Sequence, residues 1–138
     1  MSLQEIVIVG GARTPFGKFG GSLRDVTATE LGVAAAKGAL EATGVPAERI
    51  DHVIFGNVIQ SSRDAAYLAR HVGLWAGVPD SAPGLTLNRL CGSGLQAIIS
   101  AAQTILLGDS QVALGGGAES MSRGLFMVPS MRWGARMG

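Results

Sequence analysis

The sequence predicts an α/β fold in which strands and helices alternate as βαβαβαβ, giving a largely parallel sheet covered by helices on both faces. Three observations carry that expectation. Short apolar runs rich in β-branched residues stop at glycine, as strands buried on both faces do. The segments between them place apolar residues at helical spacing and are closed by glycine, often followed by proline. No internal repeat at a period of about 20 to 50 residues breaks the alternation.

The first strand is expected at Ile6, Val7, Ile8 and Val9, ended by Gly10 and Gly11. A Gly-rich loop then leads to Thr27-Ala28-Thr29-Glu30, a capping box in which Thr27 offers its hydroxyl to a free helix N–H and Glu30 reaches back to the cap. In the helix that follows, Leu31, Ala35, Ala39 and Ala42 keep to one face, and Gly44 and Pro46 stop it. Val53, Ile54 and Phe55 form the second strand, ended by Gly56. Leu68, Val72 and Trp75 mark a second helix, closed by Gly77 and Pro79. Leu85-Thr86-Leu87 reads as the third strand, and Leu95, Ile98, Ile99, Ala102 and Leu106 line the third helix. Val112-Ala113-Leu114 is the fourth strand, running into Gly115-Gly116-Gly117. From Gly92 to Gly108 there is no charged residue. A helix on a two-layer domain has a solvated outer face, so something outside these elements is expected to cover this one.

Composition narrows the class further. With 47% hydrophobic and 15% charged residues, the 138-residue chain is neither a disordered tail nor a coiled coil, and its length suits a single core. Eleven Lys and Arg against ten Asp and Glu are too balanced for a nucleic-acid binder. No apolar run approaches the ~20 residues of a membrane span, so neither nucleic acid nor membrane is an expected partner. The single cysteine, Cys91, cannot form an intrachain disulfide, and no secretory signal pattern opens the chain. A reducing, cytoplasmic location is therefore expected. Met1, Ser2 and Leu3 read as a partial leader.

Chemistry concentrates on Cys91, in Asn88-Arg89-Leu90-Cys91-Gly92-Ser93-Gly94, between the third strand and the uncharged helix. The positive end of the peptide dipole and unpaired N–H groups favour an attacking sulfur anion there, and Gly92 and Gly94 leave room for a substrate. Ligands of parallel sheets collect at the carboxyl ends of strands, where this residue falls. A small buried hydrophobe is the competing role. Nucleotide motifs fail on inspection. Gly17-Lys18 lacks the earlier glycine and the following Ser or Thr of a phosphate loop, and Gly10-Gly11-Ala12-Arg13-Thr14-Pro15 is not G-x-G-x-x-G. Ser93 is not a hydrolase elbow, because Cys91 and Leu95 replace the required glycines, and it reads as a helix-start residue. His52 is expected in solvent at the far end of its strand, and His71 as a surface or helix-packing residue. No cluster has metal-ligand spacing, and no metal is expected.

Three stretches, Arg13-Thr14-Pro15-Phe16-Gly17, the segment around Cys91, and Gly116-Gly117-Ala118-Glu119-Ser120-Met121-Ser122, together resemble the thiolase family, particularly acetyl-CoA acetyltransferases. The resemblance runs along essentially the whole chain. It implies an incomplete N-terminal half of an αβαβα layered fold, with the third helix in the middle layer. Residues 1–122 would form that half, lacking its end, and residues 123–138 the start of an insertion. It further implies reversible Claisen condensation and thiolysis of acyl-CoA through an acyl intermediate on Cys91, whose N–H is a candidate oxyanion donor. Acyl-CoA and CoA would be substrates, with no separate cofactor, and the enzyme would be a homo-oligomer. The family's catalytic His, second Cys and water-holding Asn belong to its C-terminal half, and their motifs do not occur in these 138 residues. An inactive fragment or scaffold, or a carrier-protein-dependent ketoacyl synthase of the same fold, is the alternative.

Overall fold

The computed structural model describes residues 5–134. Three parallel strands form its sheet: β1 (His52–Gly56) in the centre, β2 (Gly84–Leu87) on one side and β3 (Ala113–Gly117) on the other. The helices are α1 (Ala28–Thr43), α2 (Leu68–Ala76) and α3 (Ser93–Leu107). Parallel neighbours require crossovers, and α2 and α3 supply them.

Strand β1 is covered on both faces because its alternate side chains point opposite ways. Val53 and Phe55 enter a cluster with Leu68, Ala69 and Val72 of α2 and Ala28 and Ala36 of α1. Ile54 points the other way, onto Ala97 and Ala101 of α3. The glycines that end the strands let the layers close. A Cβ at Gly56 would stand 2.6 Å from the Cβ and carbonyl carbon of Ser93, and one at Gly116 would meet the Phe55 ring at 2.9 Å.

The capping and stop signals act as the sequence implies, but α1 buries Ala28, Thr29, Gly32 and Ala36 rather than the expected face of Leu31, Ala35, Ala39 and Ala42. Thr27 Oγ1 accepts from Glu30 N at 3.1 Å, and Glu30 Oε2 accepts from Thr27 N at 2.8 Å, completing the capping box. Gly44, Gly77 and Gly108 end α1, α2 and α3 in the left-handed region that glycine enters without strain. Trp75 departs from its stripe: Leu68 and Val72 are fully buried, whereas Trp75 is half exposed and stacked on His71 at 5.4 Å.

The α/β class stands, but the expected first strand is corrected. Ile6-Val7-Ile8-Val9 makes no ladder, and Val7, Ile8 and Val9 are exposed. The physical reason is the lack of an adjacent backbone. Residues 5–12 line one wall of an apolar cleft of about 670 Å³, the outer edge of β3 lines the opposite wall, and α1 and α3 contribute the sides. A strand exists only by pairing, and across that gap neither edge reaches the other.

Among the described residues nothing covers the outer face of α3, where Leu95, Ile98, Ile99, Leu106 and Leu107 are exposed. The stretch Leu90–Leu107, mean hydropathy 1.5, is by length and composition long and apolar enough to cross a membrane, contrary to the expectation that no run would be. Here the same helix packs Ala97 and Ala101 against the sheet. Residues 1–3, read from the sequence as a partial leader, lie outside the described residues.

Candidate active site

The carboxyl ends of β1, β2 and β3 all open toward one side, and the loops that leave them, together with residues 12–19 and the start of α1, line a cleft of about 980 Å³. Much of its wall comes from three distant stretches, residues 12–19, residues 90–94 apart from Gly92, and residues 117–122, with Val58 and Ile59 after β1 beside them. The three stretches are the same motifs that the sequence singled out. Cys91 is exposed on this wall, immediately before Gly92, the N-cap of α3. Gly92 offers no side chain to cap the helix, so Cys91 stands at the positive end of the α3 dipole. Within these residues Cys91 is not packed as a small buried hydrophobe.

Hydrogen bonds across the chain hold the wall. Glu119 accepts from Val58 N at 3.0 Å, Ile59 N at 2.9 Å and Asn57 Nδ2 at 2.9 Å, and Asn57 also donates to Ala118 O. Those bonds clip the loop after β1 to the loop after β3. Ser120 donates to Val26 O, and Ser122 Oγ accepts from Gly20 N, tying the second of these loops to the approach to α1. Arg13 lies over the exposed Phe16 ring at 4.6 Å, a cation–π contact within residues 12–19. Asn57 and Glu119 were not singled out individually as site residues by sequence. Glu119 at least sat inside a quoted motif; Asn57 had no signal beyond being polar after a strand-ending glycine.

Neither histidine lines the cleft. His52 begins β1, at the opposite end of the strand from the cleft. His71 lies on α2, where its Nδ1 is 3.3 Å from Asp64 Oδ2. Burial acts to raise the Asp64 carboxyl, but hydrogen bonds from Ser62, Thr29 and His71 outweigh it and bring the value down to about 2. This cluster joins α1 to α2. His71 is thus a helix-packing residue, as expected, whereas His52 is half-buried rather than in solvent.

A family model described as the N-terminal domain of thiolase matches residues 6–138. The chain belongs to the thiolase family. It is 57% identical over 98% of its length to a beta-ketothiolase of Cupriavidus necator and 56% identical over 99% to the mitochondrial 3-ketoacyl-CoA thiolase of Rattus norvegicus. It covers 34% of each, so it spans about a third of the length of these relatives. The crystal structure of human mitochondrial 3-ketoacyl-CoA thiolase in complex with CoA matches 94% of this chain, with a TM-score of 0.92 and 53% identity, over 33% of that chain. The layered α/β arrangement is therefore part of the thiolase fold.

Proposed function

We propose that this chain is the nucleophile-bearing segment of a thiolase acting on acyl-CoA, with Cys91 as the residue acylated. The observation that carries the reading is the exposure of Cys91 on a cleft walled by all three family motifs. The sulfur adds to the thioester carbonyl, the bond from carbon to the coenzyme's sulfur breaks, and CoA leaves as a thiol with the proton that Cys91 surrendered. Condensation with a second acetyl unit, or thiolysis in reverse, completes the cycle. Relatives named as thiolases and acetyl-CoA acetyltransferases support this chemistry over a carrier-protein-dependent synthase.

Because no histidine lines the cleft, these 138 residues alone are expected to bind or accept an acyl group without turning over. Brief incubation of the complete gene product with acetyl-CoA, followed by peptide mass mapping, tests the assignment. An acetyl group on Cys91, with thiolysis of acetoacetyl-CoA abolished in Cys91→Ala, is the expected result. Acetylation elsewhere with Cys91 unmodified would overturn it.

A further inference from the structure

Leu90 is the one non-glycine residue with positive φ among the described residues, at +49°, and it directly precedes Cys91. A leucine gains nothing of its own from this region, where the Cβ crowds the backbone, so neighbouring groups must hold it there. Ser93 and Asn88 do so. The Ser93 hydroxyl, in a residue only 4% exposed, accepts from Arg89 N at 2.8 Å and donates to Leu90 O at 2.6 Å. Asn88 Oδ1 accepts from Leu90 N at 2.9 Å, while its Nδ2 reaches Val58 O, on the loop after β1, at 3.4 Å. Backbone bonds from Gly92 N to Arg89 O and from Ser93 N to Leu90 O close the same turn. The missing Cβ of Gly56 lets the end of β1 press directly on the Cβ and carbonyl group of Ser93, which fixes where the residue sits.

We propose that Ser93 and Asn88 are positioning residues for the nucleophile: they lock Leu90 in the left-handed conformation, and that turn sets the Cys91 sulfur on the cleft wall at the start of α3. The proposal rests on the reading of Cys91 as the acylated residue and adds what orients it. Neither side chain touches the reacting atoms. Their effect passes through one backbone dihedral, which gives the proposal a specific signature.

The test is the rate of Cys91 acetylation at saturating acetyl-CoA in the complete gene product, with iodoacetamide alkylation as a thioester-free readout. Ser93→Ala is expected to slow both by roughly tenfold or more, the scale of a slightly misplaced reacting atom, without raising the half-saturating concentration of acetyl-CoA. Leu90→Gly added to Ser93→Ala should restore most of the rate, because glycine adopts the turn unaided. A wild-type rate in Ser93→Ala, or no recovery in the double variant, would overturn the proposal. Should Ser93→Ala not fold, the exposed Asn88→Ala, with unchanged melting temperature, should show a smaller slowing, and its absence would count equally against the idea. A wild-type Cys91 that alkylates but takes no acetyl group would instead refute the acyl-transfer reading, leaving the variants comparable by alkylation.

Discussion

Ile6-Val7-Ile8-Val9 and Val53-Ile54-Phe55 are both short apolar runs stopped by glycine, yet the second is the centre of the sheet and the first lies outside it. Their intrinsic preferences for strand are similar, so the difference lies in what surrounds them. The second run has a parallel partner on each edge, α1 and α2 over one face and α3 over the other. Its entrance is fastened as well. The Asp51 carboxylate accepts from Ser110 Oγ, Gln111 N and Val112 N, which aligns the starts of β1 and β3. Its exit is clipped by Asn57 and Glu119. The first run instead faces β3 across an open cleft. A β-branched run is thus permission to be a strand, and the neighbours decide whether it becomes one.

The largest effect should come from removing side-chain volume at the centre. Ile54 is fully buried between the sheet and the small residues Ala97 and Ala101 of α3. Ile54→Ala is expected to cost about 2–5 kcal/mol in urea unfolding, combining lost burial with a cavity the sheet cannot collapse. A cost below about 1 kcal/mol would mean that α3 relaxes onto the sheet, and the centre would then be no more constrained than the exposed run.

Which features were legible follows from the range of the interactions. The capping box at Thr27 and Glu30 and the stop glycines are local chemistry, and they appear in the structure where the residues stand. The placement of Cys91 just before α3 was legible because strand end, glycines and helix start are contiguous in the chain. The clip between Asn57 and Glu119 spans 62 positions, and nothing in either residue's local pattern announces the other. Leu90 was illegible for the opposite reason: leucine argues against a left-handed turn, and only the contacts of Ser93 and Asn88 impose it. The first strand was misread because pairing is a property of two segments, whereas the pattern describes one.

A smaller effect should appear in acid. Asp64 accepts from Thr29 Oγ1 at 2.7 Å, and it also holds Ser62 and His71, so it ties α1 to α2 over the face of β1. Its carboxyl is lowered from an ordinary 3.8 to about 2, chiefly by those hydrogen bonds working against burial. The native state therefore binds the proton less readily than the unfolded chain. The resulting stability is fully present above pH ~4 and lost as the pH falls toward 2. About 1–2 kcal/mol should be lost across that window, allowing for partial solvent exposure. Asp51 and Glu30 are shifted in the same direction, so some acid sensitivity should survive in Asp64→Asn, but its slope between pH 4 and 2 should be shallower. An unchanged slope in Asp64→Asn would show that the cover over β1 does not depend on this cluster.

The smallest effect, and the one that tests the comparison most directly, concerns the exposed run itself. Ile8 is 80% exposed, so Ile8→Ala in the 138-residue chain should change stability by no more than about 0.5 kcal/mol. Stability alone does not report pairing, which amide hydrogen exchange reads separately. The amides of residues 53–55 should exchange only through global unfolding, slowed by at least about 1,000-fold. Those of residues 6–9, outside any ladder, should exchange nearly as fast as in an unfolded peptide. Strong protection in both segments, together with a loss of several kcal/mol in Ile8→Ala, would mean that residues 6–9 cross the cleft and pair with the free edge of β3. The four-strand pattern would then hold in solution, and the contrast between the two runs would be one of stability rather than of structure.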